Sequence, residues 1–201
     1  MQKGDLKMNV EFYFDFGSPT AYLANGQLQK LCMQYDAGLV YKPVLLGGIF
    51  KATGNAPPAA VPAKGVYMNN DLPRFAERYG MLLNFNPHFP VNTLQLMRGV
   101  YAARELGVAS EYIETMFKAM WVDEKNMGEM EVVAEVLGSA GLDAAAIAEK
   151  IVQPEIKQAL IADTEAAVNR GLFGAPTIFL GEEMFFGQDR LDFVEERLAA
   201  A

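Results

Sequence analysis

The segment at residues 10–24, VEFYFDFGSPTAYLA, most constrains what this chain can fold into. Five of its first seven residues are β-branched or aromatic, which predicts a strand buried on both faces. Gly17 breaks this run, and Ser18 followed by Pro19 is typical of a helix N-terminus, because serine is a strong N-cap and proline suits the first turn. The apolar spacing that follows predicts a helix to about Tyr35. Ser18 is therefore predicted at the carboxyl end of a strand and at a helix N-terminus, where α/β sheets bind ligands and anions are favoured.

The C-terminal part of the chain supplies the other half of the pattern. Residues 171–180, GLFGAPTIFL, predict a glycine turn, a proline and a short strand, and residues 182–186 predict a second strand in hairpin with it. Residues 187–191 are predicted to cap a last helix. Near the start of the chain, residues 39–46 predict a strand parallel to the first. A β-α-β opening and a β-β-α ending, with Pro176 before the first closing strand, is the plan of a thioredoxin-like domain.

The middle of the chain is predicted to be helical. Residues 46–53 predict a short helix, and residues 54–65, with three prolines and no regular period, predict either a linker or a binding loop. Further helices are predicted at residues 71–79, 129–139, 143–152 and 154–170. Between the first two of these, one more helix is predicted to end at about Gly107 and another to begin after an N-cap at Ser110. The predicted fold class is therefore α/β: a thioredoxin-like domain, residues 1–46 and 171–201, interrupted by an all-helical domain, residues 47–170.

Charge and composition exclude several classes of function. The formal net charge of −8 argues against a surface for nucleic acid or for an anionic membrane, where basic patches are expected. No apolar run approaches the length of a membrane span, and residues 1–9 are polar, so no secretory signal is expected. A single cysteine excludes an internal disulfide and fits a reducing compartment. The predicted location is the cytoplasm.

The residue types at the predicted turn limit the chemistry further. A thioredoxin-like oxidoreductase needs Cys-x-x-Cys where this chain has Ser18-Pro19-Thr20-Ala21, so disulfide exchange by the protein's own thiols is excluded. Cys32 is predicted to be a buried, inert thiol in the first helix. The only histidine, His88, is a poor candidate for a base, and one histidine with one cysteine argues against a zinc site. What remains is the hydroxyl of Ser18, which can donate a hydrogen bond to an anion and would lower the pKa of an external thiol.

Several motifs in the same order resemble the family of 2-hydroxychromene-2-carboxylate isomerases and kappa-class glutathione transferases, which has a thioredoxin-like, DsbA-like fold. Residues 14–23 match the pattern Phe-Asp-x-x-Ser-Pro-x-x-Tyr-Leu. The resemblance continues through residues 46–55, 62–72, 89–90 and 185–191, and covers residues 9–198. It implies that glutathione is the cofactor and that the matching serine, Ser18, is the catalytic residue that contacts the glutathione sulfur.

The resemblance also implies the other glutathione contacts. Asn55 and Lys64 would bind its glycyl end, which favours a binding loop over a plain linker at residues 54–65. Ala175, just before a predicted cis Pro176, would pair through its backbone with the cysteinyl peptide. The γ-glutamyl end is assigned to two adjacent residues near the C-terminus, Asp189 and Arg190.

The activity that this resemblance implies is glutathione-dependent isomerisation of 2-hydroxychromene-2-carboxylate, a step in the catabolism of aromatic compounds. One alternative is a kappa-like glutathione transferase acting on small aromatic electrophiles, and another is a non-catalytic glutathione- or peptide-binding module. The resemblance further implies a homodimer. A pocket for the second substrate is expected between the two predicted domains, where Tyr22, Phe89, Trp121 and methionines of the helical part are candidate lining residues. The alternative for each of them, taken singly, is a place in the core, and the sequence does not select among them.

Overall fold

A single mixed sheet of four strands organises the computed structural model, which describes residues 8–200. Residues 1–7 and Ala201, the outer ends of the predicted first and last segments, lie outside the described residues. The strand order is β2-β1-β3-β4, and the strands are β1 (Asn9–Phe14), β2 (Gly38–Pro43), β3 (Thr177–Leu180) and β4 (Glu183–Phe186). β1 pairs with β2 in parallel and with β3 antiparallel, and β3 and β4 form a hairpin. The predicted β-α-β opening and the closing hairpin are confirmed.

Nine α-helices occur between residues 8 and 200. They are α1 (Pro19–Gln34), α2 (Leu46–Thr53), α3 (Pro62–Tyr79), α4 (Leu94–Glu105), α5 (Ala109–Trp121), α6 (Met130–Ser139), α7 (Ala144–Ile151), α8 (Pro154–Asn169) and α9 (Leu191–Ala199). Short 3₁₀ turns at Pro58–Ala60 and Gln188–Arg190 precede α3 and α9. Within this part of the chain, no helix has the length and apolar character that crossing a bilayer requires.

Two helix starts differ from the sequence predictions. α3 begins at Pro62 rather than at Asp71, because a proline at the first helical position is pre-organised for a helix and this first half of α3 is exposed, so no apolar stripe marks it. Ser110 does not cap α5: the N-cap is Val108, and α5 already begins at Ala109.

The sheet has a packed layer on each face, because β1 directs apolar side chains to both sides. Phe12 and Phe14 belong to the largest cluster of buried apolar side chains, which also contains residues of α1, α4, α5 and α9. Tyr13 points to the opposite face and packs with Ile49 of α2 and with Phe179. Cys32 is buried in the first cluster, as predicted. The large cluster joins side chains from both predicted domains, and the division of the chain into those domains stays a prediction.

Candidate functional site

Ser18 is the N-cap of α1, as its sequence predicts. Its backbone is extended, with φ −103° and ψ 111°, and its Oγ accepts a hydrogen bond from the backbone N–H of Ala21 at 3.1 Å. The same Oγ lies 2.9 Å from Oγ1 of Thr20 and donates to the carbonyl of Ala175 at 3.2 Å. Because the helix N–H occupies a lone pair of Oγ, the hydroxyl proton points away from the helix backbone, toward the loop that contains Ala175.

Residues from the two ends of the chain meet at this hydroxyl. The Ala175–Pro176 peptide bond is cis, as predicted. The carbonyl of Pro176 accepts a hydrogen bond from the N–H of Gly187 at 3.0 Å. The structure therefore brings Ser18, Ala175 and Pro176 together and places the turn that carries Asp189 next to them.

Asp15, which lies in the motif at residues 14–23 and has no role predicted from the sequence, is a buried carboxylate. It is 2% exposed. Its Oδ1 accepts hydrogen bonds from the N–H of Gly17 at 2.9 Å and from Oγ1 of Thr93 at 2.7 Å, and its Oδ2 accepts from the N–H of Leu46 at 2.9 Å. Burial raises the pKa of Asp15 above its ordinary value, although these three donors act in the opposite direction. Asp15 thus fixes the turn before Ser18 to the starts of α2 and α4. An acidic residue directly after a buried strand was the available signal.

Trp121 holds the same turn from the helical side. Its indole Nε1 donates to the carbonyl of Phe16 at 2.8 Å, and the residue has no exposed surface. Phe89 packs on it at 5.6 Å between ring centroids. Trp121 is therefore a core residue and cannot line an open pocket for a second substrate. Tyr22 is only partly buried, and its hydroxyl donates to the carbonyl of Leu82 at 2.7 Å.

Asn55 and Lys64 lie on exposed chain beyond α2. The side-chain amide of Asn55 donates to the carbonyl of Phe173 at 2.7 Å, which brings it to the loop that leads into Ala175. Lys64 lies in the first turn of α3 and is exposed. Within residues 8–200, no hydrogen bond or ion pair joins its side chain to another predicted site residue, so the structure gathers Asn55 but leaves Lys64 apart.

Asp189 and Arg190 pair with each other. A guanidinium nitrogen of Arg190 lies 2.7 Å from a carboxylate oxygen of Asp189, and both side chains are about half exposed. The N-cap of α9 is Arg190, which lies within the segment 187–191 predicted to cap the last helix, but no side chain bonds to the helix N-terminus there. The Asp189 carboxylate is held instead by the neighbouring guanidinium. Tyr79 of α3 fixes this turn to the helical part, since its hydroxyl donates to the carbonyl of Gln188 at 2.6 Å.

The structure also locates His88, the only histidine, and the side chains of the types that can bind a metal ion. His88 lies exposed in the segment between α3 and α4, and its backbone N–H bonds to Asn86. Over residues 8–200, no group of three or more histidine, cysteine or acidic side chains is arranged to hold a metal ion. The arrangement can therefore present one buried hydroxyl and a helix N-terminus to an anion, beside an exposed pair of opposite charges.

The comparison with known proteins agrees with this geometry. A family model described as a DSBA-like thioredoxin domain matches residues 9–199. The chain is 34% identical over 194 residues to a 2-hydroxychromene-2-carboxylate isomerase of Pseudomonas sp. (strain C18), covering 96% of this chain and 91% of that protein. It is 31% identical over 213 residues to glutathione S-transferase kappa 1 of Homo sapiens, covering 97% and 92%.

A solved structure shows the same architecture. The selenomethionine form of a 2-hydroxychromene-2-carboxylate isomerase superposes with a TM-score of 0.87 at 32% identity, covering 96% of this chain and 95% of that one. The predicted thioredoxin-like fold and the resemblance stated from the motifs are confirmed. The chain belongs to the DSBA-like thioredoxin domain family and, within it, to the group that contains the 2-hydroxychromene-2-carboxylate isomerases and the kappa-class glutathione transferases.

Proposed function

We propose that this protein is a glutathione-dependent isomerase that interconverts 2-hydroxychromene-2-carboxylate and trans-o-hydroxybenzylidenepyruvate in the catabolism of aromatic compounds. The observation that carries the proposal is the Ser18 hydroxyl, which caps a 16-residue helix and points to the carbonyl before cis Pro176. No protein thiol stands at this turn. Three relatives that are 31–34% identical carry the name of this isomerase.

The residues at the turn fit a thiolate from outside the protein. The N-terminus of α1 carries a partial positive charge of roughly half an elementary charge, which favours an anion there. Ser18 can turn its hydroxyl proton from the 3.2 Å bond with Ala175 to a sulfur, while the N–H of Ala21 keeps the oxygen in place. When bound, glutathione supplies the nucleophilic thiolate, which adds reversibly to the conjugated ring-opened substrate so that the former double bond can rotate.

The remaining site residues bind the peptide ends in this proposal. The backbone of Ala175 pairs with the cysteinyl peptide, and Asn55, already 2.7 Å from the carbonyl of Phe173, binds the glycyl end together with Lys64. Asp189 faces the γ-glutamyl ammonium, and Arg190 accompanies it. Because Asp189 and Arg190 now pair with each other, binding exchanges part of that exposed ion pair for contacts with the ligand.

A kappa-like glutathione transferase is the second candidate, and the 31% identity to the human kappa enzyme favours it. The same residues would activate the thiol, and the two activities differ in whether the adduct is released. Assaying chromene isomerisation and aryl-halide conjugation side by side with glutathione separates these two activities.

We also propose that the protein is a homodimer and that it is located in the cytoplasm. Sedimentation that gives a 22.1 kDa species at micromolar concentration would contradict the dimer.

Ser18→Ala tests the central assignment. The variant should bind glutathione with a raised thiol pKa and turn over more slowly, because it lacks the hydroxyl that stabilises the thiolate. It should lose about 1 kcal/mol of stability with the cap. The ultraviolet absorbance of the thiolate, titrated against pH in the presence of each protein, measures the pKa. Ser110→Ala, an exposed serine inside α5 that caps no helix, is the matched control. An unchanged thiol pKa together with the wild-type rate would reduce Ser18 to a helix cap.

A further inference from the structure

A cleft lies between α2, α4 and α8. Its volume is about 560 Å³, which is within the range of sites for small organic molecules, roughly 300–1,000 Å³. Leu94, Leu160 and Ile161 contribute to its apolar walls. None of the residues assigned above to glutathione lines it.

Three cations line the same cleft: Lys51 of α2, Arg98 of α4 and Lys157 of α8. The only carboxylate among the lining residues is that of Glu165. Within residues 8–200, none of the three cations forms an ion pair within 4.0 Å. Because the chain as a whole carries a net charge of −8, such a concentration of unpaired positive charge is a local feature rather than a reflection of composition.

Arg98 carries a buried hydrogen-bond donor that has no protein partner within residues 8–200. Its Nε is buried and has no hydrogen-bond partner in the described part of the chain, and the contact from its terminal nitrogen to Oε1 of Gln95 is long, at 3.5 Å. A guanidinium presents five donors in a plane that matches a carboxylate. Arg98 is partly buried, and its Nε lacks a protein acceptor. Because buried polar groups generally have partners, this guanidinium favours an anionic ligand.

We propose that this cleft is a second binding site, and that it takes a small organic monocarboxylate with an aromatic or branched apolar body. The apolar walls cover the body, and Arg98 receives the carboxylate with Lys51 and Lys157 nearby. This site does not depend on the glutathione proposal. A ligand there contacts α2, the helix whose first N–H is held by Asp15, and Asn55 follows directly after its C-cap.

Calorimetry with 2-naphthoate tests the proposal, in the presence of saturating glutathione and with neutral 2-naphthamide as the matched ligand. We expect 2-naphthoate to bind with 1:1 stoichiometry and 2-naphthamide to bind at least about tenfold more weakly, which corresponds to one lost charge-assisted contact. Equal affinity for the two ligands, no binding of 2-naphthoate, or its displacement by glutathione would overturn the assignment.

Variants locate the binding. Lys157→Gln and Arg98→Gln should each weaken 2-naphthoate binding about tenfold, and Ala52→Phe, at an exposed lining position, should block it. Lys125→Gln, an exposed lysine outside the cleft, should leave it unchanged. Lys157→Gln decides the question if Arg98→Gln does not fold. Wild-type affinity in Lys157→Gln and Ala52→Phe would overturn the proposal, and so would a change of sedimenting mass in these variants, which would make the cleft an interface between copies.

Discussion

Replacing Thr93 by valine should loosen the turn that presents Ser18. Thr93 is 6% exposed and donates the shortest of the three hydrogen bonds to the Asp15 carboxylate, at 2.7 Å. Valine keeps the shape of the side chain and removes the donor. A hydrogen bond to a charged group contributes about 1.5–3 kcal/mol. In a chain of this size each kcal/mol shifts the melting temperature by about 2–4 °C, so Thr93→Val should melt roughly 3–12 °C lower at pH 7.

The loss of stability in Thr93→Val should depend on pH, because Thr93 donates to the ionisable carboxyl group of Asp15. Burial raises its folded-state pKa above the ordinary value, so its unfavourable contribution at neutral pH disappears as the pH falls through that raised pKa. Thr93→Val removes a donor that favours the ionised form and should raise the pKa further. The stability difference between the two proteins should therefore be largest at neutral pH and shrink on acidification.

Thermal unfolding can be followed by the fluorescence of Trp121, the only tryptophan, whose indole bonds to the carbonyl of Phe16 in the same turn. Thr115→Val is the matched control, because this α5 threonine is not a hydrogen-bond partner of Asp15. Equal melting temperatures for wild type and Thr93→Val at pH 7, or a deficit that grows on acidification, would refute the role given to Asp15.

Two further predictions concern other contacts. A Cβ at Gly174 would lie 2.9 Å from the ring of Phe186, so Gly174→Ala should lower the free energy of unfolding by about 1–3 kcal/mol, and Phe186→Ala should relieve part of this in the double variant. Strictly additive effects in denaturant unfolding would contradict the clash. Burial raises the pKa of Glu11, but its bonds with Arg170 and Lys42 outweigh this and lower it. Glu11→Gln should therefore lose about 0.5–1 kcal/mol at pH 7, and this loss should fade as the pH falls through the lowered pKa.

The elements that the sequence predicted well are those with strong local signals. The apolar run before Gly17 forms β1, and Ser18 caps α1, because strand burial and capping act within a few residues. The start of α3 could not be read in the same way, since an exposed helix carries no apolar stripe and its Pro62 also suits a loop.

In the candidate site, too, some features could be predicted from the sequence and others could not. Ser18, Ala175 and cis Pro176 come together as expected, because the sheet topology places the ends of β1 and the start of β3 side by side. The role of Asp15 was missed because its partners, Thr93 and Leu46, are distant in sequence and only the packed fold brings their donors to one carboxylate.

The position of β1 in the sheet leaves one of its edges unpaired during most of the synthesis of the chain. β1 gains its parallel neighbour, β2, as soon as residue 43 is made, but its other neighbour, β3, begins only at Thr177. Until then a strand with Phe12 and Phe14 has an unpaired edge, which can pair with another chain. The nascent protein must keep this edge covered through the synthesis of all the helices from α2 to α8. A stop codon just before β3 should therefore give an aggregating fragment rather than a soluble, inactive one.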